Sequence, residues 1–205
     1  MHNLMGTQEL FIKQRKELAE LIGFETRNKY EIKDQAHNVI GFAAEQSKGF
    51  LGFITRQFFG HWRTFEIHLF DNNKVQVATA LHPFRWFFQR LEIRTKDHKY
   101  IGALQQRFAI LSKKFDLEDE RGNVFLTVNS PFWKIWTFPF MNNRDQEIAR
   151  IEKKWSGLLK EAFLDADNFR VVFNDSTLTE NQRLLLLSSA FLIDLQYFER
   201  KANQK

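Results

Sequence analysis

Cysteine is absent from all 205 residues, which excludes disulfides, thiolate metal sites and thiol nucleophiles at once. Its absence suits a reducing compartment. Proline and tyrosine are scarce, at three each. The six histidines (2, 37, 61, 68, 82 and 98) show no HExxH or paired-ligand spacing, so they offer no metal centre. There is no GxSxG elbow, no P-loop and no GxGxxG after a strand pattern. Without a catalytic constellation the expectation is a protein that is not an enzyme and requires no cofactor. Long apolar runs are missing too. A spanning helix needs about 20 apolar residues, whereas Leu184–Phe198 is interrupted by Asp194 and Gln196 and leaves ten apolar or small residues from Leu184 to Ile193. Met1–Leu10 lacks the charged and apolar regions of a secretory signal, so none is expected.

What is abundant is phenylalanine, at 23, with five tryptophans. So many rings must fill a core or cover a surface patch. A 43% hydrophobic and 27% charged composition belongs to a globular chain. No linker, low-complexity tract or fixed-period repeat divides it, so residues 1–205 read as one domain. The net charge of +5 permits attraction to anionic lipid or nucleic acid. Arg15-Lys16 and Lys153-Lys154 are too short for nucleic-acid patches, which makes that partner the less expected one.

Period-two alternation dominates. Phe65-Glu66-Ile67-His68-Leu69 and Leu91-Glu92-Ile93-Arg94 each put apolar groups on one face, as half-buried antiparallel strands do. Polar turns such as Asp71-Asn72-Asn73, Lys96-Asp97-His98, Asp119-Glu120-Arg121-Gly122 and Asn142-Asn143-Arg144-Asp145 separate them. The pattern predicts twelve strands, near 10–13, 29–34, 38–45, 63–70, 74–81, 89–95, 99–107, 112–118, 123–129, 133–140, 146–154 and 168–173. Short helical turns are expected at 15–22 and 157–162. The period then changes: Thr179-Glu180-Asn181-Gln182 fits a capping box that opens a helix over about 179–200, apolar nearly all round. Such a helix must be buried, and a barrel closed around it would remove every sheet edge.

Three connections are aromatic instead of polar. One holds Phe58, Phe59, Trp62 and Arg63; a second Phe84, Arg85, Trp86, Phe87, Phe88 and Arg90; a third Phe132, Trp133 and Lys134. In an up-and-down meander alternate connections share an end, so these three and Phe108–Leu111 fall together, opposite the polar turns. Rings mixed with cations at one rim suit a water–lipid boundary, and these residues are the candidate lipid contacts.

Several motifs carry a family likeness. Gly23-Phe24-Glu25-Thr26-Arg27-Asn28-Lys29-Tyr30-Glu31-Ile32-Lys33 with Gly41-Phe42-Ala43-Ala44-Glu45, then Trp155 to Phe169, then Phe191 to Glu199, resemble the phospholipid scramblase family. The resemblance implies a tubby-like fold: all-β, a closed twelve-stranded antiparallel barrel around a hydrophobic C-terminal helix. It also implies binding to anionic membrane phospholipid, ATP-independent bidirectional lipid movement, and a peripheral place at the cytoplasmic face of the plasma membrane. Eukaryotic members carry cysteine clusters for palmitoylation where this chain has aromatic loops, so aromatic rings are expected to replace acyl chains. The family's calcium segment falls on Asp165–Ser176, with Asp165 and Asp167 as candidate ligands. The segment departs from an EF-hand-type loop at Phe169, at Arg170 where glycine belongs, and at Ser176 in place of the bidentate acid. Two other readings stay open: a tubby-like regulatory module for protein, phosphoinositide or nucleic acid, and a single-pass protein anchored by Leu184–Phe198.

Overall fold

The computed structural model describes residues 4–15, 26–46, 64–134, 136–153 and 168–198. Twelve strands follow in chain order: β1 (Glu9–Gln14), β2 (Thr26–Lys33), β3 (Val39–Gln46), β4 (Phe65–Asp71), β5 (Gln76–His82), β6 (Arg90–Thr95), β7 (Tyr100–Arg107), β8 (Ser112–Asp119), β9 (Val124–Pro131), β10 (Thr137–Met141), β11 (Glu147–Lys153) and β12 (Asn168–Phe173). Each strand pairs antiparallel with its chain neighbour, and β1 closes on β12 from Glu9↔Val172 to Lys13↔Asn168. The result is a closed up-and-down barrel. Alternation sets its inside: Leu10 and Ile12, Tyr30 and Ile32, Ile67 and Leu69, Phe115 and Leu117 are all buried. The expected twelve strands are present with ends shifted by a few residues. The largest shift is at β10, because Lys134 N donates to Pro131 O in a turn that delays the strand to Thr137.

Because the meander is closed, its two ends differ in kind. At one end the connections 34–38, 71–75, 95–99, 119–123 and 142–146 are built alike. In each, the amide of the fourth residue donates to the carbonyl of the first, and the first amide donates to the fifth carbonyl. This is a three-residue hairpin whose fourth position takes a left-handed backbone, here His37, Lys74, His98, Gly122 and Asp145. Asp34, Asp71, Asp119 and Asn142 add a side-chain oxygen that accepts from the third and fifth amides.

From this tight end a helix, α1 (Glu180–Ile193), enters the barrel and continues as a π-helical turn, Asp194–Phe198. Thr179 and Gln182 form the expected capping box. Every residue from Arg183 to Ile193 is buried, so Leu184–Ile193 is core and not an anchor. Phe191 packs against Tyr30 and Phe169 at ring distances of 5.0 and 6.0 Å. No described helix is long and apolar enough to cross a membrane. Space is closest at Gly102 of β7, where a Cβ would strike the Glu118 carbonyl of β8 and meet Leu185 Cδ1 of the helix at 3.0 Å. The outer wall is ion-paired instead, as in Arg15–Glu31–Lys33, Arg90–Glu118, Arg107–Asp116 and Arg170 between Glu9 and Glu152.

Candidate functional site

The end opposite the tight hairpins carries the exposed apolar surface. Twelve large hydrophobic residues are exposed among the described residues, and nine lie on three successive connections at this end. They are Phe84, Trp86, Phe87 and Phe88 between β5 and β6, Phe108, Ile110 and Leu111 between β7 and β8, and Phe132 and Trp133 between β9 and β10. Phe87 is 78% exposed and Trp133 75%, values that leave most of each ring without a protein partner. Some order exists within the rim: Phe84 meets Trp86 edge-on at 5.3 Å, and Phe88 meets Phe108 likewise at 6.4 Å across two connections. Arg85, Lys114 and Lys134 are exposed beside the rings.

Arg90 sits elsewhere. Its guanidinium lies in the wall, donating to Glu118 at 2.7 Å and to Tyr100 Oη at 2.9 Å. The Glu118 carboxylate raises the Arg90 pKa against the opposing effect of burial, which is the larger single influence and acts downward. Phe58, Phe59, Trp62 and Arg63 lie outside the described residues, as do Asp165, Asp167 and the segments 16–22 and 157–162. Residues 168–173, in the middle of the expected calcium segment, are strand β12 paired on both sides, so they do not wrap an ion in an EF-hand manner.

Behind the rim the inward faces of the strands turn polar. Gln14 donates to Asn28, and Asn28 to Glu45 at 2.7 Å. His82 stacks on Phe65 at 4.5 Å. Asp194, where α1 ends, accepts from Tyr30 Oη at 3.2 Å and lies 3.6 Å from Lys153 Nζ. Lys113, only 3% exposed, donates to the Lys134 carbonyl at 2.9 Å and lies 4.1 Å from the centre of the Phe138 ring. The mouth is therefore a polar collar between an apolar bore and an apolar rim. On one side of it a half-open pocket of about 400 Å³ is roofed by Trp86, Phe87, Phe88 and Phe132 and floored by Gln89, Lys113 and Gln196. Sequence patterning had not singled out these floor residues. A lone Lys such as Lys113 reads as solvent-facing until the buried alternation of β8 shows that it points inward, and Gln89 and Gln196 stand outside any strand, on a connection and on the π-helical turn.

A rim of rings and cations over a polar pocket can bind an amphiphile: apolar chains outside, polar group within. The family model described as Scramblase matches residues 1–200. Phospholipid scramblase 1 of Mus musculus is 32% identical over 98% of this chain and 64% of its own length. Phospholipid scramblase 2 of Bos taurus is 33% identical over 96% of this chain and 70% of its own. A phospholipid scramblase family protein of Schizosaccharomyces pombe is 25% identical over 96% of this chain and 61% of its own. The chain thus spans just under two thirds of the length of the mouse relative. A solved Arabidopsis thaliana protein also aligns, with a TM-score of 0.49 and 11% identity over 91% of this chain and 89% of that one.

Proposed function

The chain belongs to the scramblase family, and from that premise we propose that it binds anionic phospholipid membranes by its aromatic rim and promotes lipid exchange between leaflets without ATP. In this reading it acts peripherally at the cytoplasmic face of the plasma membrane, performs no covalent chemistry and needs no cofactor. The observation that carries the reading is the gathering of nine exposed apolar side chains at one end, with Arg85, Lys114 and Lys134 among them. Rings tolerate the depth of the headgroup layer while cations meet phosphate. Contiguous exposed apolar surface marks an interaction site, and a lipid surface matches its composition.

Vesicle flotation tests it. Changing Phe84, Trp86, Phe87 and Phe88 to Ser alters only exposed side chains, so the thermal midpoint should hold while binding to vesicles containing phosphatidylserine falls by about tenfold or more. Undiminished flotation of the folded variant would sink the membrane reading and leave a regulatory module for a protein, phosphoinositide or nucleic acid. Lipid movement needs its own measurement, a reconstituted flipping assay on the purified protein. Running it with and without calcium addresses Asp165 and Asp167 as well.

A further inference from the structure

The pocket under the rim has features that general membrane attachment does not require. Gln89 is 5% exposed, yet its side-chain carbonyl oxygen has no hydrogen-bond partner. Gln196, on the π-helical turn, leaves both its amide nitrogen and its amide oxygen without one. Buried polar atoms of this kind are costly and rare in an interior, where a partner is the rule. Here three such atoms come from two residues that line the same pocket. The described lining also includes Lys113, Lys114 and Arg107 but no carboxylate. Arg107 is paired with Asp116 and Glu118 on the outer wall and Lys113 donates to the Lys134 carbonyl, so the exposed Lys114 leads the electropositive contribution, with Lys113 behind it.

We propose that this pocket is a receptor for a phospholipid headgroup bearing hydrogen-bond donors (ethanolamine, serine or glycerol) and discriminates against choline. The inference rests on the membrane reading above and specifies the chemistry of the lipid that the rim presents. The phosphate, common to all these lipids, lies towards the ammonium groups of Lys113 and Lys114 and the amide N–H of Gln196. Beyond it the Gln89 and Gln196 amide oxygens, which lie buried in the pocket wall, turn towards the cavity and accept from the terminal ammonium or hydroxyl. Choline has no N–H or O–H to give, so seating it would leave both oxygens unpaired and dehydrated. A site built to accept a hydrogen bond rejects the analogue that lacks it. The volume of about 400 Å³ falls in the range of small-ligand pockets. The acyl chains leave through the roof, where Phe87 and Trp86 are exposed.

Short-chain dihexanoyl phospholipids below their micelle concentration separate this site from membrane attachment. Wild-type protein should bind dihexanoyl-phosphatidylethanolamine about tenfold or more tightly than the choline analogue, with shifts of the Gln89 and Gln196 side-chain amide signals in NMR. Gln89→Leu and Gln196→Leu should abolish that preference. Each removes an unpaired polar group, so the thermal midpoint should stay level or rise. Lys114→Gln, at an exposed position that cannot disturb the fold, should weaken both lipids alike. Equal affinity for the two lipids in wild type, or a preference retained in both Leu variants, overturns the proposal. Flotation distinguishes the two readings. Wild type that floats yet ignores headgroup chemistry keeps the rim and loses the pocket; wild type that selects monomeric ethanolamine lipid but does not float keeps the pocket and loses the rim.

Discussion

Four side chains at the tight end of the barrel occupy a backbone region that favours glycine. His37, Lys74, His98 and Asp145 have φ between 55° and 63°, and only the fourth of the five hairpins has a glycine, Gly122 at 81°. A Cβ in this region costs about 1 kcal/mol or more, partly offset by the chain entropy that glycine loses on folding. Lys74→Gly should therefore stabilise the protein by about 0.5–1 kcal/mol, and Gly122→Ala should destabilise it by a similar amount, read from urea midpoints. The same hairpins make a pH comparison. Hydrogen bonding from the Asn123 side chain, the largest influence, lowers the Asp119 pKa from its ordinary value, joined by the backbone amides of Asn123 and Arg121. Its contribution is thus complete above the usual carboxylate range and is lost as pH falls through the depressed folded value. Protection of the Arg121 and Asn123 amides, measured against their intrinsic exchange rates, should fall in acid, while that of Arg144 and Gln146, held by the uncharged Asn142, should show no such step. Four of the five hairpins were legible from their Asn, Asp and Gly clusters. The one at 34–38 was legible only as a gap between strands, since Gln35 and Ala36 carry no turn preference.

Among the elements, α1 shows most clearly what local pattern can and cannot give. Its start was readable from Thr179 and Gln182, because a capping box is a contact between residues three apart. Its interior was readable as buried because apolar residues fill every face. What could not be read was the burial of Arg183, the charge immediately before that run. It is 2% exposed and donates to the Thr7 carbonyl at 2.6 Å and the Leu178 carbonyl at 3.2 Å, with Phe173 beneath it at 4.7 Å. Thr7 lies far away in sequence, so no window along the chain could supply this partner. Burial pulls the Arg183 pKa below its ordinary value, against a smaller opposing effect of Asp175. The residue ties the N-terminal approach to β1, the β12–α1 connection and the helix itself together at the tight end. Arg183→Leu leaves at least two carbonyls without their donor and should cost roughly 3 kcal/mol in chemical denaturation. Arg183→Lys, which keeps charge but not the fork, should recover only part of that loss.

At the scale of the whole molecule, strand parity carried information that individual loops did not. Taken alone, each aromatic connection could have folded back over the mouth; counted along a meander, they had to share an end, and the structure puts the described ones there with their rings exposed. The polar collar was hidden from the same count because Asn28, Glu45 and Lys113, although in phase with the buried residues of their strands, carry no apolar signal by which a hydrophobic pattern could place them inside. The two ends should differ in experiment as they do in chemistry. Changing Met5, Val75 and Val124, the exposed apolar residues remote from the rim, to Ser should leave vesicle flotation within about twofold of wild type. A comparable loss at both ends would mean diffuse hydrophobic adhesion and not an oriented dock. The filled bore has a further consequence. A membrane-spanning barrel shows lipid an apolar belt and keeps its interior open or polar; this one shows the outside world ion pairs and stoppers its own interior with α1. It is a porin turned inside out, its bore occupied among the described residues by α1. On the proposed reading, lipid moved with its help would pass over the lip of the barrel, and the rate should follow how deeply the rings wedge rather than the width of any pore.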